Sequence, residues 1–117
     1  MSKTIAQIYS LTNLADALMC VELGADHIGV AFGDVDHLGP IQKTCAEAKY
    51  IFDNLPDNVV KIGLTIAKDV DEILADLDRC CPEVYHLSGD IRDIPPEEVQ
   101  RIRDAHPGLK IMQAIPV

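Results

Sequence analysis

The sequence predicts an α/β fold built on a parallel sheet, and three observations predict it. Five short apolar segments recur with a period of roughly 25 to 30 residues, and each is followed by a segment of helical spacing. The second apolar segment, His27-Ile28-Gly29-Val30-Ala31-Phe32, is nearly continuous in apolar character, as expected of a strand covered on both faces. Finally, each strand ends in small or polar residues, where parallel α/β sheets gather their chemistry. The rhythm βαβαβαβαβ amounts to about four and a half βα units. It fits either an open doubly wound sheet or part of a (β/α)8 barrel, and pattern alone leaves both open.

Taken in order, residues 5 to 9 form the first strand and break into Ser10-Leu11-Thr12-Asn13. Asn13 caps a helix with Asp16 three positions on, Leu14, Leu18 and Val21 recur along it, and Gly24 stops it. Residues 26 to 32 are the second strand. The loop Gly33-Asp34-Val35-Asp36-His37-Leu38-Gly39-Pro40 leads to a second helix from about residue 40 to 55, with Ile41, Cys45, Ala48, Phe52 and Leu55 on one stripe. Residues 59 to 67 are the third strand. Asp69 and Glu72 have capping-box spacing before a third helix lined by Val70, Ile73, Leu74, Leu77 and Cys81. Residues 84 to 88 are the fourth strand, Pro95-Pro96-Glu97-Glu98 starts a fourth helix with Val99 and Ile102 inward, and residues 109 to 115 are the fifth strand.

One domain over residues 1–117 is expected, since the chain is near the modal domain size but about half of a complete barrel. Nineteen acidic against ten basic residues give a net charge of −9, which argues against nucleic acid and anionic membranes as partners. With no signal-like segment and no long apolar run, the expected location is the cytoplasm. The four cysteines lack paired CxxC spacing. Cys20, Cys45 and Cys81 fall near apolar helix positions, so reduced, buried thiols are expected and no metal is assigned. The acids Asp69, Asp71, Glu72, Asp76 and Asp78 read as the solvated face of the third helix.

Five stretches, in order and in register, resemble the phosphoribosylanthranilate isomerase family. They are Ile8-Tyr9-Ser10-Leu11-Thr12-Asn13-Leu14-Ala15-Asp16-Ala17, Glu22 through Phe32, Val60-Lys61-Ile62-Gly63-Leu64, His86-Leu87-Ser88-Gly89-Asp90 and Leu109 through Ile115. The resemblance covers essentially the whole chain and implies a partial TIM barrel, the N-terminal part of a (β/α)8 fold. It implies an intramolecular aldose–ketose (Amadori) isomerase of tryptophan biosynthesis, or a divergent relative acting on a related phosphosugar. No metal or organic cofactor is implied, and the substrate class is a small phosphorylated sugar or amine. The chain departs from the family pattern at four positions on two strand ends. Tyr9 stands where the family has its base cysteine, Gln7 replaces a lysine, Ser10 a glycine and Ser88 a histidine, while the family's acid and phosphate loops come later than residue 117.

On this reading Tyr9 and His86 are the catalytic candidates, His86 because an imidazole titrates near neutrality. Gln7, Ser10, Thr12, Asp34, Ser88, Gly89 and Asp90 are the candidate substrate-binding residues, placed at strand ends. His37 is a loop histidine, and His27 and His106 have structural roles. The alternative from another class is a non-catalytic half-barrel that self-associates as a homodimer, because five parallel strands leave two unpaired edges beside an apolar face.

Overall fold

The computed structural model describes residues 7–8, 11–89 and 91–113. Its elements run β1 (Gln7–Ile8), α1 (Leu14–Glu22), β2 (His27–Ala31), α2 (Cys45–Asp53), β3 (Val60–Thr65), α3 (Val70–Arg79), β4 (Val84–Leu87), α4 (Pro96–Ala105) and β5 (Lys110–Gln113). Short 3₁₀ turns at Gly39–Ile41 and Ile91–Asp93 precede α2 and α4. Among the described residues all four strand pairings are parallel, and the strand order is simply β1-β2-β3-β4-β5. A doubly wound sheet would reverse direction at a switch point. Sequential order without reversal is the winding of a barrel wall, so the partial (β/α) barrel is the architecture.

Local chemistry sets the helix starts. The Asn13 side chain accepts from the Asp16 backbone N–H at 2.8 Å, and Thr44 and Glu47 form a reciprocal capping box at the head of α2. That box corrects the expected start of the second helix near residue 40. Residues 42 to 44 are still extended there, because Phe32 and Lys43 bridge in parallel and Gly39 turns the chain at φ +68°. The expected box at Asp69 is also replaced. Asp69 accepts from the Asp71 N–H at 2.9 Å, while Glu72 reaches His37 at 2.6 Å. Pro96 opens α4, and His106 follows its last residue.

The helices cover one face of the sheet, and the core lies between. Val30, Gly63 and Tyr85 are in register on that face. The Phe32 ring meets Phe52 of α2 edge-on at 6.3 Å and Tyr85 at 5.9 Å. Gly63 has no room for a side chain, since a Cβ would lie 2.3 Å from Phe32 Cε1 and 2.9 Å from Pro82. The other face carries Ala31, Ile62, Leu64, Val84, His86 and Met112. Ala31 and Ile62 are buried, but Leu64, Val84 and His86 are half-buried and Met112 is 43% exposed. This second face is the concave wall of the partial barrel.

Two residue readings change. Cys81 lies beyond the end of α3 and is exposed, whereas Cys45 and Cys80 are buried and all four thiols are free. Asp76 is not on a solvated face but is 3% exposed beneath α2. No helix among the described residues is long and apolar enough to cross a membrane.

Candidate functional site

At the carboxyl end of β4 the alternation of the strand puts His86 and Ser88 on the concave face, two residues apart. Their side chains meet: Ser88 Oγ lies 2.8 Å from His86 Nδ1. The Ser88 N–H is anchored to the Thr65 carbonyl at 2.8 Å, which holds the strand end against β3. Burial of the imidazole pushes the His86 pKa below its ordinary value, so the ring is neutral near pH 7. A neutral, half-buried imidazole oriented by a neighbouring hydroxyl is able to take a proton.

Gly89 continues the same rim. With Thr65, Leu87, Asp93 and Gln113 it lines a small cavity of about 10 Å³, the size of a single water site. Lys68 Nζ stands 3.9 Å from Asp93 Oδ2 at this end, with the lysine side chain 75% exposed. His86 and Ser88 are thus brought together, whereas Gly89, next along the chain, borders a cavity on the helix-facing side. Gln7 on β1 is paired by its backbone with His27 on β2. Tyr9, Ser10 and Asp90 lie outside the described residues.

Two expected binding residues point elsewhere. Thr12 lines an open groove of about 400 Å³ between α1 and α2, together with Asn13, Lys43, Glu47 and Tyr50. Asp34 turns out of the rim into the helix layer. Its carboxylate accepts from the Cys45 N–H at 3.0 Å and pairs with Arg79. The Cys45 N–H first and the Arg79 guanidinium next hold its carboxyl below the usual range, despite an opposing contribution from burial.

Asp34 belongs to a clasp that sequence reasoning missed. Asp76 Oδ1 accepts from the Asp34 N–H at 3.2 Å and from the Cys45 thiol at 3.3 Å, while Oδ2 is buried with no hydrogen-bond partner. Burial dominates and pushes the Asp76 carboxyl up; burial and the neighbouring carboxylate also push the Cys45 thiol up. Gln42 completes the arrangement by donating to the Gly33 and Val35 carbonyls and accepting from the His37 and Leu38 N–H groups. Ligand atoms of Asp34, Cys45 and Asp76 lie within 4.8 Å of one another, close enough to hold a metal ion. Apart from Asp76 Oδ2, these ligand atoms are already engaged otherwise, by Arg79, by backbone N–H groups and by the thiol proton. A signal for the clasp existed in the sequence: Asp76 falls on the Ile73/Leu77 stripe that α3 buries.

Comparison with known proteins bears on this arrangement. No family profile matches the chain. The phosphoribosylanthranilate isomerase of Geotalea uraniireducens is 34% identical over 87 residues, which is 74% of this chain and 41% of that protein. That of Geotalea daltonii is 38% identical over an equal length. The enzyme of Rubrobacter xylanophilus is 28% identical over 111 residues, 95% of this chain and 50% of its own. Among solved structures, the Pyrococcus furiosus enzyme superposes with a TM-score of 0.78 at 17% identity, covering 98% of this chain and 52% of that one. A phosphoribosylanthranilate isomerase in complex with reduced 1-(o-carboxyphenylamino)-1-deoxyribulose 5-phosphate gives 0.77 at 24% identity and covers 55% of that chain. The structural likeness speaks for the fold, and the sequence matches carry the kinship. The chain spans about two fifths to one half of the curated relatives it matches. Over the part it spans, this chain is a relative of the phosphoribosylanthranilate isomerases, enzymes of tryptophan biosynthesis.

Proposed function

We propose that this chain is the N-terminal portion of a (β/α)8 isomerase, and that its rim contributes to an Amadori-type aldose–ketose isomerisation of a small phosphorylated sugar amine. The observation that carries the reading is the His86–Ser88 pair on the concave face at the carboxyl end of β4, in a chain whose relatives are isomerases of this kind. The reaction needs a base to take the proton from the sugar carbon next to the anomeric centre and an acid to protonate the ring oxygen as it opens. His86 is the proton-transfer group among the described residues, with Ser88 orienting the ring and Gly89 kept from the sequence as its strand-end neighbour. Tyr9, Gln7, Ser10 and Asp90 stay in the proposal as strand-end neighbours from the sequence, Tyr9 as the second proton-transfer group. Asp34 and Thr12 serve the helix side, Asp34 as a clasp and Thr12 at the head of α1.

The test is turnover of phosphoribosylanthranilate by the full protein as encoded. His86→Asn is expected to lower kcat about 10²-fold or more with a smaller change in KM, the usual scale for removing a general acid or base. Unchanged turnover in that variant removes His86 from the chemistry, and full activity in Tyr9→Phe does the same for Tyr9.

A second reading, favoured by the half-open concave face and by the exposure of Met112 on β5, is a non-catalytic half-barrel in which two copies cover each other. Light scattering of the 117-residue chain separates the two. A monomer at every concentration counts against self-association.

A further inference from the structure

A second cluster of reactive side chains sits at the opposite end of the sheet, where the strands begin. Cys81 lies between α3 and β4, and His106 follows α4. Cys81 Sγ is 3.9 Å from His106 Nδ1, a weak thiol hydrogen bond. The other ring nitrogen, Nε2, is buried with no hydrogen-bond partner and stands 3.4 Å from Asp78 Oδ1, in ion-pair range but off bonding geometry. The thiol therefore faces one ring nitrogen, with the Pro82 carbonyl as a second acceptor at 3.7 Å, and the ring's far side faces a carboxylate. A cleft of about 330 Å³ lined by Cys81, Pro82, Ala105, His106 and Leu109 gives access from solvent.

We propose that Cys81 is a thiol–disulfide exchange site whose partner is a small soluble disulfide, with His106 as the base and Asp78 as the anion that holds the imidazolium. The Cys81 proton passes to His106 Nδ1. The sulfur attacks one sulfur of the disulfide, the S–S bond breaks, and the departing thiolate takes the proton from the imidazolium. One disulfide and one thiol are consumed, and one mixed disulfide and one thiol are formed. The logic is that of any activated nucleophile: a weakly acidic group, a base within reach and a third group that steadies the base.

The other cysteines set the contrast. Cys45 and Cys80 are buried, and burial pushes the Cys80 thiol up to about 12 and the Cys45 thiol up as well. Cys81 is open to solvent on one side, yet protein on its other side also pushes its thiol upward, so its reactivity depends on His106. The charged groups facing it are Asp78 on α3, Asp53 and Asp57 around the end of α2, and the Lys61–Glu83 pair at 3.6 Å across a neighbouring groove. The acids outnumber Lys61, so the surrounding field disfavours a thiolate and the imidazolium must supply the opposing charge.

The experiment is native labelling of the full protein with 5,5′-dithiobis(2-nitrobenzoic acid), with peptide mapping to place the label. Cys81 is expected to react first. His106→Asn, which keeps the backbone N–H bond to the Ile102 carbonyl, is expected to slow that reaction about fivefold or more at pH 7 and to converge with the wild type at strongly alkaline pH, where the Cys81 thiol ionises unaided. Asp78→Asn, at an exposed position, is expected to slow it less. Superimposable pH–rate profiles for wild type and His106→Asn, or Cys20 reacting as fast as Cys81, overturn the proposal. If His106→Asn does not fold, the wild-type profile decides: a reactive plateau below the ordinary thiol value of about 8.5 supports the site, and a single rise at or above it refutes the site. The isomerase assay reads the opposite end of the sheet, so failure here and failure of the proposed function are separate outcomes.

Discussion

The two faces of the sheet share one backbone and differ in everything that stabilises it. On the helix side Phe32, Tyr85 and Ile28 are essentially inaccessible, and Gly63 is glycine because the Phe32 ring and Pro82 occupy the place of a side chain. On the concave side, one residue along each strand, Leu64, Val84 and His86 are half-buried. Close packing on one face fixes the strands, and the looser face is free to carry polar chemistry at its rim. Stability and chemistry are therefore separated by the two-residue period of a strand rather than by distance.

Measurements on substituted chains test that division. Phe32→Ala is expected to cost about 3–5 kcal/mol in denaturant unfolding, whereas Leu64→Ala on the concave side is expected to cost roughly half as much. Equal losses at the two positions break the comparison and indicate that the concave face is covered in solution. Gly63→Ala is next, at about 1–3 kcal/mol, because the new methyl overlaps the Phe32 ring. Pairing it with Phe32→Leu sharpens the point: the double variant is expected to lose less than the sum of the two single losses, since the two side chains compete for one space.

The smallest effect is expected in the clasp, and it depends on pH. Burial raises the Asp76 carboxyl in the folded chain, so its contribution to stability is fully present below the ordinary carboxylate value and is lost as pH rises through the raised one. Asp76→Asn is therefore expected to be more stable than the wild type near pH 7, with the gain fading as pH falls through the raised Asp76 value and gone below pH ~4. Asp34 has the opposite sign: its lowered carboxyl contributes above the ordinary value and loses that contribution as pH falls through the lowered one. Thermal unfolding of both proteins between acid and neutral pH checks this, and a gain in Asp76→Asn that is independent of pH contradicts the titration.

Much of this was legible from residue order. The strand and helix sequence, the Asn13 cap, the Gly24 stop, and the pairing of His86 with Ser88 on one face follow from period and cap chemistry. Periodicity alone starts the second helix too early because the apolar positions Ile41 and Cys45 keep helical spacing across a segment that pairs instead with the end of β2 and Phe32. Its place just after a strand makes Asp34 a rim residue by sequence alone. It leaves the rim because Arg79, 45 positions later, and the N–H at the head of α2 offer its carboxylate two partners in the helix layer.

The sequence by itself determined what each short stretch becomes, since caps, stops and the two hydrophobic periods act over a few residues and need no partner from afar. Only the tertiary structure decided the unreversed strand order, the burial of Asp76, the exposure of Cys81 and its approach to His106. Those depend on contacts between residues far apart in the chain, where packing density and the desolvation of charge, rather than local propensity, choose the outcome.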